Sequence, residues 1–200
     1  GWARNGNMKN GKKFYDITLP LGADLGGPMF FAHYSFMGLD PRNLKDQYAD
    51  YWEQNVAHAR INQAYCKANP KGYFGYSERC WGLTASDYHD GYTASSPTND
   101  KGTIAPTAAL ASMPYTPEAS LMALEYFYYV LGDNLFKKYG FIDSFTLGKK
   151  WFAPSYIAID QGPIVVMIEN YRTGLLWDCF MKNEDVQKGL DKLGFTYKGK

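Results

Sequence analysis

The sequence predicts a single all-α domain, and three observations support this prediction. The chain has 200 residues, 46% of them hydrophobic, which is enough to build one domain with a substantial core. Apolar residues recur at the three- and four-residue spacing of helices. No stretch longer than about five residues alternates at the two-residue period of strands. We therefore expect helices joined by loops, with short hairpins only near 17–21 and 146–152.

The first half of the chain predicts two helices and a long polar segment. An aromatic run over 29–39 predicts the first helix. The cap-and-proline pair Asp40–Pro41 predicts the start of a long second helix, which ends at Asn69–Pro70. Residues 71–113 are rich in turn formers and contain only one short predicted helix, 108–113. Loops of this length inside a domain are usually functional.

Helix signals are clearer in the second half. Thr116–Pro117 predicts a helix that ends at Gly132, and a short helix over 133–139 follows. After a second irregular segment, Gly162–Pro163 predicts a helix that extends to about residue 180. Asn183 and the acidic residues after it predict a last helix that stops at Gly194, with a frayed tail to Lys200.

Composition excludes several classes of function. A formal net charge of +1 offers no broad basic field for nucleic acid or for an anionic membrane surface. No apolar run approaches the ~20 residues that span a bilayer. The three histidines lack metal-ligand spacing, and phosphate-binding and dinucleotide-binding motifs are absent, so we expect neither a metal nor a cofactor.

The three cysteines have no C-x-x-C spacing and do not form an even set. We expect Cys66, Cys80 and Cys179 to be small buried side chains, because free cysteine is among the most buried residue types. One disulfide with one free thiol is the alternative.

Aromatic residues are abundant, at 17% of the chain. Rings with polar tips suit either a large core or a groove for flat, hydroxyl-rich ligands. Composition alone does not decide between the two.

One string in the long loop gathers charged and aromatic groups, GYSERCWGLTASD at 75–87. It predicts a sugar platform, on which Trp81 stacks against a sugar ring while Glu78, Arg79 and Asp87 hold hydroxyl groups. The alternative is a loop closed by its own salt bridge, with Trp81 as its local core.

A second string places Asp160 and Gln161 at a helix N-terminus. The helix dipole there would keep Asp160 ionised and able to orient water or substrate hydroxyls, unless it is an ordinary cap. Glu169 and Arg172 are three residues apart and should pair on one face of the same helix, either as a buried structural pair or beside a water-filled cavity.

Four long strings resemble the glycoamylase-like family of bacterial carbohydrate-active proteins. They are GPMFFAHYSFMGLDPR at 27–42, CWGLTASD at 80–87, GTIAPTAAL at 102–110 and AIDQGPIVVMIENYRTGLLW at 158–177. This family includes endo-β-1,2-glucanases and related parts of cyclic β-1,2-glucan synthases. The resemblance covers essentially the whole chain.

The resemblance implies an (α/α)6 toroid, a double ring of twelve helices with the substrate groove at one end. The predicted helices amount to about half of such a ring, so 1–200 resembles the C-terminal part of the family's catalytic domain. The family's upstream half carries acidic residues proposed as catalytic, and nothing in this chain matches them. Helices at the cut would expose apolar stripes, and these predict self-association or pairing with the missing half.

The resemblance also implies a function. We expect part of a glycoside hydrolase that acts on a β-glucan, with β-1,2 linkages favoured, through carboxylate acid–base chemistry. Asp160 and Glu78 are the candidate catalytic residues, and the candidate substrate contacts are Trp81, Asp87, Arg79, Gln161, Glu169 and Arg172. The alternatives are a non-catalytic carbohydrate-binding module and a purely structural helical domain. The family context implies a periplasmic, cell-surface or secreted bacterial protein.

Overall fold

A computed structural model describes residues 8–197 and confirms the all-α class with long loops. Its helices are α1 (Phe30–His33), α2 (Tyr51–Ala68), α3 (Pro106–Leu110), α4 (Pro117–Glu125), α5 (Gly132–Leu135), α6 (Ala158–Thr173), α7 (Leu175–Met181) and α8 (Glu184–Leu193). None of the described helices is both long enough and apolar enough to cross a membrane.

The described strands form four antiparallel hairpins. The pairs are β1 (Lys13–Phe14) with β2 (Ile17–Thr18), β3 (Ala85–Tyr88) with β4 (Gly91–Ala94), β5 (Phe136–Lys137) with β6 (Gly140–Phe141), and β7 (Phe145–Thr146) with β8 (Trp151–Phe152). The β1–β2 and β7–β8 hairpins confirm those expected near 17–21 and 146–152. The other two were not predicted, because their strands are too short to show a period.

The start of α2 corrects the sequence prediction by ten residues. Asp40 does not cap this helix, because its carboxylate instead accepts hydrogen bonds from the backbone and guanidinium of Arg42. The cap is Asp50, whose carboxylate accepts the backbone N–H groups of Trp52 and Glu53 at 3.0 and 3.2 Å. Asn69 ends the helix in a left-handed conformation, as predicted.

Two predicted helices are interrupted. The aromatic run is short: α1 is followed by a 3-10 turn, Ser35–Met37. The helix expected over 163–180 begins earlier, at Ala158, and breaks at Gly174 with φ +73°. Asn170 holds this corner, because its side-chain oxygen accepts the N–H groups of Leu176 and Trp177 at 3.0 and 3.1 Å.

The remaining helix predictions hold with shifted ends. Helix α4 begins at Pro117 as expected and continues as a π-helix, Tyr126–Val130, and Gly132 starts α5 rather than ending α4. Helix α8 lies between the predicted cap Asn183 and Gly194. The tail is not frayed as far as Tyr197, because Thr196 pairs with Lys45 through two backbone hydrogen bonds of 2.7 and 2.8 Å. Residues 198–200 lie outside the described part.

The main core fixes the loops that carry the acidic residues described below. Trp81, Leu110, Phe127 and Phe145 are nearly or fully buried in one apolar cluster. Phe145 of β7 also exchanges two backbone hydrogen bonds of 2.9 Å with Ile104. The long loop, the α3–α4 region and the β7–β8 hairpin therefore share one rigid base.

All three cysteines are free thiols. Burial raises the pKa of Cys80 to about 12 and that of Cys66 well above its usual range. The prediction of buried thiols is confirmed for these two residues. It is wrong for Cys179, which is exposed on α7.

A pair of glycines with similar backbone angles tests how tightly Gly82 is packed. Gly82 has φ +134°, and an added Cβ would lie 2.8 Å from the backbone oxygen of Ala105, whereas Gly91 has φ +128° and its added Cβ would meet only Tyr88, at 3.9 Å. Because both positions have a similar positive φ, the two Gly→Ala changes carry a similar backbone cost. We expect Gly82→Ala to lower the free energy of unfolding by about 2 kcal/mol more than Gly91→Ala, as measured by urea denaturation. Equal losses would contradict the close packing at Gly82.

Candidate functional site

Three aspartates from different segments meet above the core. Asp87 lies on β3, Asp143 in the loop between β6 and β7, and Asp160 in the first turn of α6. The backbone N–H of Asp87 donates to Asp143 Oδ2 at 2.7 Å, and the carboxyl groups of Asp143 and Asp160 lie close enough to shift each other's pKa. This cluster is the candidate functional site.

The surroundings of Asp143 and Asp160 favour a proton shared between them. Each residue is 1% exposed, and Asp143 Oδ1 and Asp160 Oδ2 are buried without a donor from any other described group. Two ionised carboxylates only accept hydrogen bonds, so a hydrogen bond between the two carboxyl groups requires that one be protonated. One carboxylic acid and one carboxylate therefore suit these surroundings better than two carboxylates.

The electrostatics favour the proton on Asp143. Burial and the charges of Asp160 and Asp87 raise the pKa of Asp143 to about 7, against the opposing hydrogen bond from the Asp87 N–H. Burial also raises the pKa of Asp160, against the stabilising hydrogen bonds from Tyr34 and Asp143. Desolvation therefore opposes the effect of the helix N-terminus at Asp160, and the expectation that Asp160 is ionised stays a prediction.

Neighbouring side chains hold each acid in place. The Tyr34 hydroxyl donates to Asp160 Oδ1 at 3.0 Å, and the Thr107 hydroxyl donates to the backbone oxygen of Asp160 at 2.6 Å. Ser155 donates to Asp87 Oδ2 at 2.5 Å. These contacts from α1, α3 and the β8–α6 loop fix the geometry of the site.

Three of the residues singled out from sequence lie at or beside this site. Asp160 and Asp87 are part of the aspartate cluster. Gln161 follows Asp160 directly on α6, is half-buried, and lies beside Gly140 of β6.

The other singled-out residues have different partners. Glu78 forms an exposed ion pair with Lys67 of α2 at 2.9 Å. Arg79 lies 3.8 Å from Glu125 and 6.0 Å from the centre of the Tyr126 ring. These contacts fasten the long loop to α2, α4 and the π-helix.

Trp81 lies in the core and not on a sugar platform. It is 0% exposed, and its indole N–H donates to the backbone oxygen of Ala119 at 3.4 Å. Neither ring face is available to a ligand, so the sugar-stacking expectation for Trp81 is replaced by a packing role.

Glu169 and Arg172 pair on α6 as predicted, at 3.0 Å. The Arg172 side chain is 67% exposed, so this is a surface pair rather than a buried one. Pairs of this kind contribute little to stability.

Sequence reasoning missed Asp143, the partner of Asp160. A signal was present, since Asp143 is an acidic residue inside the apolar run Phe141–Phe145 of an irregular segment. It also missed Tyr34, which was predicted only as part of the aromatic helix over 29–39. In the described part of the chain, no group of three or more His, Cys, Asp or Glu side chains is arranged to hold a metal ion.

The loops of this helical domain bring together two buried carboxyl groups, and burial raises the pKa of one of them, Asp143, to about 7. Such an arrangement is typical of acid–base sites. Residues 1–184 match the family model described as "Glycoamylase: Putative glucoamylase". The chain belongs to this glycoamylase family, and the resemblance seen in the sequence is confirmed.

Several relatives are closely similar to the chain. A solved "putative glucoamylase" from Bacteroides uniformis is 65% identical, with a TM-score of 0.95 over 98% of this chain and 48% of its own. An endo-β-1,2-glucanase from Chitinophaga pinensis, solved with sophorotriose and glucose, is 52% identical, with a TM-score of 0.95 over 98% of this chain and 49% of its own. These similarities confirm the toroid-type helical fold.

A curated protein also matches nearly the whole chain. The exo β-1,2-glucooligosaccharide sophorohydrolase (non-reducing end) of Parabacteroides distasonis is 50% identical over 197 residues, which cover 96% of this chain and 27% of that protein. The chain thus spans about a quarter of this relative and about half of the two solved chains.

The shared proton predicts a specific dependence of stability on pH. Because the pKa of Asp143 is raised to about 7 from an unfolded value of about 3.9, the folded state holds the extra proton, and this stabilising contribution is lost as pH rises. The free energy of unfolding should fall by about 1 kcal/mol per pH unit between about pH 4 and 7.

The variant Asp143→Asn cannot titrate and keeps a hydrogen-bond donor toward Asp160, so it should lack this slope. Urea denaturation across the pH range measures the difference. Asp185→Asn, a change at an exposed aspartate of α8, is the matched control and should parallel the wild type. A slope unchanged in Asp143→Asn would contradict the shared proton.

Proposed function

We propose that the whole protein to which this chain belongs hydrolyses a β-glucan, with β-1,2 linkages favoured, and that Asp143 and Asp160 form one of its proton-transfer groups. The observation that carries the proposal is the burial of these two neighbouring carboxyl groups with too few donors, which raises the pKa of Asp143 to about 7. A group that is half protonated near neutrality can both give and take a proton at working pH.

Hydrolysis needs two such groups. Water attacks C1 of the sugar and loses a proton to a base, while the C1–O glycosidic bond breaks and the leaving oxygen gains a proton from an acid. The two carboxyl groups lie about 5–5.5 Å apart in retaining enzymes and about 6.5–9.5 Å apart in inverting ones. Asp143 and Asp160 are immediate neighbours, so the pair would act on one side of the bond only.

The second carboxyl group comes from outside this pair. The family resemblance places further acidic residues in an upstream half, which this chain does not match. We therefore propose that the chain is the C-terminal half of a glycoamylase-like catalytic domain and contributes one proton-transfer group to a groove shared by two halves. Its span of about half of the solved relatives supports this division.

Exposed apolar faces also support the proposal that the chain is one half of a domain. On α6 and α7, Ile159, Val165 and Leu175 are 53%, 71% and 52% exposed, and a groove of about 550 Å³ lies alongside them, lined by Ile164, Val165, Val166, Ile168, Glu169, Arg172 and Leu176. Helices that belong to a closed ring would cover such a face.

The names of the relatives support the substrate class. One relative is an endo-β-1,2-glucanase solved with sophorotriose, and another is a sophorohydrolase. Export to the periplasm, the cell surface or the medium stays a prediction of the family context. Cell fractionation of the source bacterium would test it.

Substitutions at the carboxyl pair test the activity. In the whole protein, with any sequence that flanks this chain, Asp160→Asn and Asp143→Asn should each lower kcat on β-1,2-glucan by at least about 100-fold, because proton transfer contributes about 10²–10⁴. Release of reducing sugar is the measurement, and Asp185→Asn is the matched control.

Full activity in both variants would remove the pair from the reaction. If the unmodified protein bound β-1,2-glucan without cleaving it, the result would favour the carbohydrate-binding module instead.

The division into halves predicts association. Produced alone, the 200-residue chain should form dimers or larger species in light scattering. Co-expression with the upstream half of a solved relative should give a 1:1 complex instead, because the exposed face of α6 and α7 would then be covered. A monomeric chain with a cooperative thermal melt would contradict the division.

A further inference from the structure

The β3–β4 hairpin carries an exposed tyrosine beside the carboxyl cluster. Asp87 and Tyr92 are direct cross-strand partners, so their side chains lie on the same face of the hairpin. Asp87 is part of the cluster through its hydrogen bonds with Asp143 and Ser155. Tyr92 is 56% exposed, so it extends from this cluster into solvent.

The charges of the three acids act on the phenol of Tyr92. Partial burial raises the pKa of Tyr92, and the charges of Asp160, Asp143 and Asp87 also raise it. The direct geometric links are the pairing of Tyr92 with Asp87 across the hairpin and the hydrogen bond from Tyr34 to Asp160.

The ring faces of Tyr92 have no aromatic or cationic partner within residues 8–197. Other exposed tyrosines differ, since Tyr128 and Tyr129 pack edge to face at 5.1 Å. An exposed ring without such a partner, beside a charged cluster, is a surface that can take a ligand.

The hairpin is held firmly enough to present this ring. The side-chain N–H group of Asn99 donates to the Thr93 hydroxyl at 3.2 Å and to the backbone oxygen of Ala94 at 3.0 Å. The backbone N–H of Ser95 donates to the oxygen of Thr84 at 3.1 Å, which ties the end of β4 to the start of β3. Little ordering of the hairpin is then needed when a ligand binds.

We propose that Tyr92 is a stacking platform for a glucosyl ring and holds it beside the Asp143–Asp160 pair. The proposal rests on the proposed function and deepens it, because it assigns a sugar subsite to this chain. A β-glucosyl ring presents C–H groups on its faces and hydroxyls at its rim. Its face would lie on the Tyr92 ring, and its hydroxyls would meet the polar groups around Asp87.

Three variants of the whole protein test the subsite. Tyr92→Ala should raise KM for β-1,2-glucan about tenfold and weaken binding of sophorotriose by a similar factor, while kcat changes by no more than about twofold. Tyr92→Phe keeps the ring and should stay within about twofold of the wild type in both measurements. Tyr129→Ala removes an exposed tyrosine of the π-helix, outside the aspartate cluster, and is the control.

The outcomes separate this proposal from the one on which it rests. Unchanged KM and sophorotriose binding in Tyr92→Ala, with normal hydrolysis by the wild type, would overturn the subsite and leave the proposed function standing. Absence of hydrolysis and of glucan binding in the wild type would overturn both. If Tyr92→Ala lowered the thermal midpoint and Tyr92→Phe failed to restore KM, the role would be structural, which also overturns the subsite.

Discussion

A proton shared by Asp143 and Asp160 would join two segments that otherwise repel each other. Two ionised carboxylates about 4 Å apart, the ordinary separation of an ion pair, repel by about 4 kcal/mol at an effective dielectric constant of about 20. A single proton turns this repulsion into a hydrogen bond and lets both side chains remain buried. Asp87 adds its backbone N–H to the same pair. The positions of β3, the β6–β7 loop and the start of α6 therefore depend on one protonation state.

The rest of the structure limits how far this site can move. Asp100 is a second buried carboxylate, and it accepts the hydroxyl groups of Tyr65 and Tyr76 at 3.0 and 2.8 Å. The segment that follows it pairs with β7 through the 2.7 Å contact between the hydroxyls of Thr103 and Thr146. The two buried acidic sites thus have opposite surroundings. Asp100 is surrounded by donors, whereas Asp143 and Asp160 lack enough donors and must share a proton, which is why this pair is suited to proton transfer.

Local signals made much of the fold predictable, and tertiary contacts account for most of the differences. Caps and prolines placed α4 and α8 correctly because those signals act within one turn. The start of α2 was misplaced because Asp40 and Asp50 look alike in sequence, and only the Arg42 contact shows that the first does not cap a helix. Asp160 could be predicted from its helix N-terminus. Asp143 could not be recognised as its partner, because the contact joins loops that sequence spacing does not relate.

Trp81 and Tyr92 show why aromatic content alone could not locate a sugar site. Both occur in the same long loop region, yet Trp81 is 0% exposed and Tyr92 is 56% exposed. The difference arises from the base of the domain: Trp81 fills the core beneath the loop, and the hairpin built on that base lifts Tyr92 to the surface beside the acids. A buried tryptophan gives the loop rigidity, and rigidity is what allows an exposed ring and a proton-sharing pair to keep a fixed separation. The buried residues of the loop therefore hold its exposed residues in fixed positions.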